Sequence, residues 1–427
     1  MKTKLFFLIT SLAVYAANGF PQVSIDWLHS INTHPERGAS IARDNSNNTY
    51  ALGSGGGFIY LTKRDKFGNF KWQVKSTSYL GENAVRVFVD PQGNAVAVGY
   101  RYSTLHEGPF AVALIVLKYT PAGDLIYKTV IPGTYTYFNN SENRTNITAE
   151  MDGAGNIYIG TEGQVTGYPK QGFNAVKVSS AGSVVWVSTE TFNIGSNFFY
   201  VSNIRLRGNR LGLEGTTLYF TANASTWVLD TTGHSLWSNV SPGILGQDIA
   251  FDKNANTYVL TSFNNNFKYD VGLYKFGKTG GIPVTKSYDF GSNELGYGME
   301  MMPNQSLAIM GASTQQNGGL AYLDWVTFRV DLSGNLIWSK RYDKSTGNDE
   351  IPRMIKVDAS NNIYVTGIGG PFPGGSNLGA LQGVTLKYSA NGALKWKSII
   401  DTLGFDGVNL ALGTDTSVFV ISASASA

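Results

Sequence analysis

The chain has 427 residues, 33 basic against 30 acidic, a formal net charge of +3 and no cysteine. So small a charge excess, without any Lys/Arg run, gives no support to nucleic-acid or polybasic membrane binding. The missing cysteine removes both disulfides and a lipid-attachment site, while 50 glycines and 13% aromatic residues suit an all-β chain rich in tight turns.

The chain opens MKTKLFFLITSLAVYAANGFPQ. Two lysines precede an apolar run from Leu5 to Val14, then small residues, the layout of a secretory signal peptide cut after Ala16 or Gly19. Residues 1–19 are therefore expected to be a leader and 22–427 a single mature domain, secreted or held at the cell surface or in the periplasm. The competing reading of the apolar run is a buried first strand. It is too short to span a bilayer comfortably, and nothing comparable follows, so no transmembrane segment is expected. An exported chain without disulfides points to a bacterial source.

VSIDWLHSI, from Val23 to Ile31, reads as a lone outer strand carrying Trp27. Two eleven-residue hairpins then alternate. The first is RDNSNNTYALG from Arg43, VDPQGNAVAVG from Val89, MDGAGNIYIGT from Met151, FDKNANTYVLT from Phe251 and VDASNNIYVTG from Val357. The second is TKRDKFGNFKW from Thr62, LKYTPAGDLIY from Leu117, VKVSSAGSVVW from Val176, WVLDTTGHSLW from Trp227, YKFGKTGGIPV from Tyr274, FRVDLSGNLIW from Phe328 and LKYSANGALKW from Leu386. Its seventh position is always glycine: Gly68, Gly123, Gly182, Gly233, Gly280, Gly334 and Gly392. A glycine fixed between two alternating runs marks a turn that needs positive φ. The eleventh position is Trp72, Trp186, Trp237, Trp338 and Trp396, with Tyr127 and Val284 in the other two copies, and is expected to pack between stacked sheets.

Paired, the hairpins make a four-stranded antiparallel unit, a to d, of roughly fifty residues, the size of a propeller blade. Seven units fit between Ser40 and Ile400. In the fourth, NIRLRG and TLYFTAN are taken as strands a and b; in the sixth, MEMMPNQSLAIMG stands in for the Asp hairpin. GVNLALGTDTSVFVIS, from Gly407 to Ser422, supplies lone strands a and b, which with the Trp27 strand make an eighth, shared blade lacking strand c. The expected fold is an all-β propeller of eight blades closed through its ends; the alternative is seven blades with unpaired ends.

The Asp-x-x-Gly/Asn-Asn-x-Tyr-Val-x-Gly hairpin followed by Leu-Lys-Tyr-x-x-x-Gly-x-x-x-Trp resembles the SBBP-type β-propeller repeats of secreted bacterial proteins, over nearly the whole mature chain. That resemblance implies a propeller and an extracytoplasmic setting, and brings no catalytic residues with it.

Asp44, Asp90, Asp152, Asp252 and Asp358 are read as turn residues bonding their own backbone. A calcium loop would also need Gly at its sixth and Glu at its twelfth position, where Thr257 and Phe263, or Ile363 and Gly369, stand. GLYKFGKT, from Gly272 to Thr279, matches the phosphate-loop pattern but occupies a hairpin rather than a strand opening a helix. His29, His34, His106 and His234 lack metal-ligand spacing, and no nucleophile elbow occurs. No metal or cofactor is expected. Asn348–Glu350 is a possible acid/base contributor, more simply solvated surface.

The a–b and c–d turns are short and repeat; the b–c and d–a connections vary and emerge together on the opposite face. GYRYSTLHEGPFA from Gly99, TEGQVTGYPKQGF from Thr161, SFNNNFKYDVG from Ser262, GGPFPGGSNLGALQG from Gly369 and PGTYTYFNNSENRTN from Pro132 set aromatic rings beside amides. Tyr100, Tyr102, Tyr135, Tyr137, Tyr168, Phe267 and Tyr269 are the candidate ligand contacts, with capping of the blade ends as the plain alternative. The preferred function is a non-enzymatic module binding a protein or glycan. An extracellular polymer-degrading hydrolase or lyase using loop carboxylates and a structural part of a surface assembly are the alternatives, so enzymatic activity stays open.

Overall fold

The computed structural model describes residues 5–11, 24–31, 36–77, 81–102, 111–135, 147–163, 172–192, 198–218, 222–242, 245–265, 268–291, 293–317, 320–343, 349–370, 382–400 and 405–424. They form four-stranded antiparallel sheets arranged as a propeller; among them no helix is long and apolar enough to cross a membrane. Seven sheets are blades of four consecutive strands, lettered a to d outward from the axis. Blades 1 to 7 span 36–75, 82–135, 148–190, 198–242, 248–288, 294–342 and 349–400. Seven such blades is the alternative count from the sequence, although the chain ends are paired.

The ends form a composite sheet in place of the shared blade. Its order is Ser24–Ile31, Leu5–Ser11, Val418–Ser424, Phe405–Leu412. It lies between blade 7 and blade 1, with Phe405–Leu412 against Asp349–Val357 on one side and Glu36–Arg43 on the other. The Trp27 strand takes the outer position and the C-terminal strands the inner two, as expected. The place left without a strand in the sequence reading is filled by Leu5–Ser11, the run read as a leader. That segment pairs on one edge from Leu5↔Ile31 to Ser11↔Ser24 and on the other from Phe6↔Ser422 to Thr10↔Val418.

The core lies between sheets rather than within them. Tyr50, Leu61, Ala97 and Leu117 interlock blades 1 and 2; Val116, Ile131, Ile159 and Val176 interlock blades 2 and 3. Because both faces of each middle strand are covered, strand c of blade 2 reads ALIVL over residues 113–117 with every side chain buried. At the seam, Leu410, Val418 and Val420 close over Tyr364, Trp396 and Ile400 of blade 7.

Two local readings are corrected. In blade 4, strand b is Arg210–Leu218 and not TLYFTAN; the chain turns immediately after Arg207 through Gly208 (φ 58°) and Asn209, and Ala222–Asp230 is strand c. In blade 5, SFNNNFKYDVG is largely paired strand, with Ser262↔Val271 through Asn265↔Lys268, because the b–c hairpin simply extends.

The seam generates a test. Leu410→Ala should lower unfolding free energy by about 2–5 kcal/mol, the range for truncating a buried leucine. A denaturation midpoint unchanged from the parent protein would mean that the terminal sheet is not part of the cooperative core.

Candidate functional site

On the short-turn face, the Asp hairpins use their own carboxylates. Asp44, Asp90, Asp152, Asp252 and Asp358 each accept through Oδ1 from the backbone N–H groups two and four residues on, and through Oδ2 from the Asn side chain four residues on. Tyr50, Tyr158, Tyr258 and Tyr364 add a hydroxyl at 3.0–3.4 Å. Blade 2 has Val96 in that place, and Lys118 Nζ instead reaches Asp90 at 2.9 Å in a buried ion pair. Burial raises the Asp90, Asp152 and Asp358 carboxyls, but the converging donors hold all three below the ordinary carboxylate value.

The second hairpin joins one blade to the next. All seven glycines have φ between 78° and 100°. A Cβ added at Gly123, Gly233, Gly280 or Gly392 would stand 2.7–3.1 Å from the indole of Trp72, Trp186, Trp237 or Trp338, and one at Gly182 would stand 2.7 Å from the Tyr127 ring. Each ring therefore lies on the c–d turn of the following blade. Trp72, Trp186 and Trp338 donate Nε1 to Pro121, Thr231 and Ala390 carbonyls at 3.0, 3.2 and 2.9 Å. Lys63, Lys177 and Arg329 donate to those same carbonyls. In these joints ring and glycine pack against each other, and the basic residue in strand c, not singled out from sequence, belongs to the same joint.

The inner strands bring charges together that lie far apart in sequence. Arg205 of blade 4 meets Asp248 of blade 5 at 3.0 Å, Glu150 of blade 3 at 3.4 Å and Glu300 of blade 6 at 3.9 Å; Lys356 of blade 7 meets Glu300 at 3.6 Å. Asp248 also accepts from the Met299 and Ile249 N–H groups and from Asn203. Burial works against the Arg205 charge, but Asp248, Glu300 and Glu150 outweigh it and raise its pKa. Lys356 and Arg205 likewise overcome burial to lower Glu300. Burial holds Asp248 above the ordinary carboxylate value despite Arg205, and the cluster borders a cavity of about 140 Å³ lined by Arg205 and Glu300.

Near the loop face, two carboxylate triplets occupy equivalent positions in successive blade junctions. Asp270, Asp289 and Glu294 form one and Asp324, Asp343 and Glu350 the other, each with ligand atoms within 4.8 Å of one another, close enough to share a cation. The protein's own cations already reach both: Lys268 Nζ is 3.1 Å from Asp289 and Arg341 Nη1 2.8 Å from Asp324. Glu350, read from sequence as solvated surface, is fully buried. Of the candidate ligand contacts, Tyr100 is only 5% exposed and packs with Leu114, Ile131 and Ile147, so it is a core ring. Tyr269 is half-buried, opposite Asn264, with its N–H donated to Asn293. Tyr102 and Tyr135 pair with Val112 and Ala111, but their side chains, like that of Trp27, lie outside the described residues. Tyr137, Tyr168 and Phe267 lie wholly outside them.

Two predictions follow from the hairpins. Trp396, 4% exposed, should cost about 3–5 kcal/mol on replacement by alanine, half-buried Trp338 less, and Gly392→Ala about 1–3 kcal/mol through its forced φ; equal, near-zero changes in chemical denaturation would contradict the blade joint. The lowered Asp carboxyls contribute stability that is fully present above the unfolded-chain value, about 3.9, and is lost as pH falls through the folded values. Denaturation at stepped pH should show that loss below about pH 4, with a shallower acid slope in Asp358→Asn.

No family model and no curated protein matches this chain. Solved structures do. The C-terminal WD40 domain of Sif2 aligns over 91% of this chain and 97% of its own length, with a TM-score of 0.53 at 8% identity. Sqt1 from Chaetomium thermophilum aligns over 92% and 97%, with a TM-score of 0.56 at 11% identity. At such identities the likeness concerns the fold alone. With the blade topology above, it makes this chain an all-β propeller repeat protein.

Proposed function

We propose that the chain is a secreted, non-enzymatic propeller of SBBP type that binds a protein or glycan through its variable-loop face. The observation that carries this reading is the contrast between the two faces. On the turn face, hairpin carboxylates and carbonyls are taken up by repeated internal bonds. On the other, b–c connections range from the two residues between Gly55 and Phe58 to the eleven between Gly370 and Gln382. Such variation on a rigid scaffold is where binding specificity is built.

Glycan-array and pull-down screens of the exported protein should return a saturable ligand. Tyr168→Ala and Tyr269→Ala should then be measured separately, at least one costing about 2 kcal/mol of affinity with the melting temperature unchanged. Tyr100→Ala should instead lower the melting temperature. Parental affinity in both loop variants would remove the variable face as the binding surface, and N-terminal sequencing that finds Met1 on exported protein would remove the leader.

A further inference from the structure

We infer that a second site, on the turn face between blades 4 and 5, binds a small ligand carrying a phosphate or sulfate ester. The inference goes beyond the proposed function and does not rest on it, since it concerns the opposite face.

The site arises where the repeat is broken. The a–b connections of blades 1, 2, 3, 5 and 7 hold five residues, as from Asp44 to Asn48; that of blade 4 holds only Gly208 and Asn209. At three junctions neighbouring turns are tied by a side-chain amide. Lys253 N–H donates to the Gln305 side chain, Asn304 N–H to Asn361, and Thr414 N–H to Asn47, each acceptor having positive φ. The equivalent positive-φ residue of blade 5 is Ala255 (φ 63°), which has no amide to offer, and blade 4 has no turn long enough to reach it. The tie is absent at this junction, as it is where the receiving residue is Gly93 or Gly155, and here, beside the shortened blade 4 hairpin, lies a cavity of about 560 Å³. That volume suits a sugar-sized ligand.

Four cations line it: Arg207 and Arg210 from the shortened hairpin, Lys253 from the Asp turn of blade 5, and Lys278 from the neighbouring Gly turn. Among the described residues, none of the four forms an ion pair. One guanidinium nitrogen of Arg207 bonds the Phe251 carbonyl at 3.1 Å and one of Arg210 the Lys278 carbonyl at 2.9 Å, which fixes both side chains while leaving further donors. The two lining carboxylates are committed elsewhere: Asp252 to Asn254, Asn256 and Tyr258, and Asp230 to Thr232 and His234. The balance is a net positive pocket, with exposed Leu236 as its apolar side. Guanidinium and ammonium donors brought to one cavity from three turns match a tetrahedral oxyanion, and the apolar side matches the carbon skeleton bearing it.

The test is calorimetric titration of the protein with glucose 6-phosphate, glucose 6-sulfate and glucose. Saturable binding of at least one ester, weakened by 300 mM NaCl and absent for glucose, is the expected result; comparing the two esters identifies which group the site prefers. Lys253→Gln combined with Lys278→Gln, both at exposed turn positions, should weaken ester binding by about tenfold or more while leaving the melting temperature unchanged. No saturable ester binding, equal binding of glucose, or parental affinity in the double variant would overturn the proposal.

Discussion

The fold depends on one contact, an aromatic ring of one blade lying on the glycine turn of the next. The ring needs a surface without a side chain, and the turn needs a residue that tolerates positive φ; glycine meets both demands at once. A single turn carbonyl then accepts from the indole and from the basic residue one strand inward, so hydrogen bonding and packing fix the same spacing between blades. Because the middle strands are covered on both faces, a blade has no stable isolated state, and each joint matters only if the next is also made. Blade 5 shows what happens when the pattern weakens: it carries Val284 in the ring position, and Val284 is exposed.

The joint was legible because it recurs at fixed spacing within eleven residues, and so were the turn role of the Asp hairpins and the meander of each blade. The blade 4 hairpin was not. Its turn signal is Gly208-Asn209, a two-residue loop lacking the Asp that marks its neighbours, so a search for the repeat passed over it. The Arg205 cluster was beyond sequence for a different reason. Its members come from inner strands of blades 3 to 7, and only the packing of successive blades around the axis brings Glu150 near Arg205 or Lys356 near Glu300. Tyr100 was misplaced because a ring at the end of strand b looks the same in sequence whether it caps a core or faces solvent.

The two charged regions of blades 4 and 5 use arginine in opposite ways. On the axis, Arg205 is surrounded by carboxylates and serves as a fastener between inner strands. On the turn face, Arg207 and Arg210 are anchored by backbone carbonyls, which cancel no formal charge. Only two residues separate Arg207 from Arg210, yet this break in the repeat leaves an open, positive surface between blades 4 and 5. Irregularity in a repeat protein is therefore informative in itself, since it marks where self-contact has been given up.

If the proposed leader is removed, the seven-residue strand Leu5–Ser11 ties that step to folding. It is bonded along both edges, to Ser24–Ile31 and to Val418–Ser422. A cut after Ala16 or Gly19 falls between this strand and its neighbour, so it would break the covalent link and leave the pairing in place. A chain cut after folding would then retain its own leader as a bound peptide. A chain cut beforehand would present two facing backbone edges with one strand's width between them, open to any extended segment in the right register. Under that reading, the order of cutting and folding would decide whether the finished molecule is a sealed ring or a receptor for a strand.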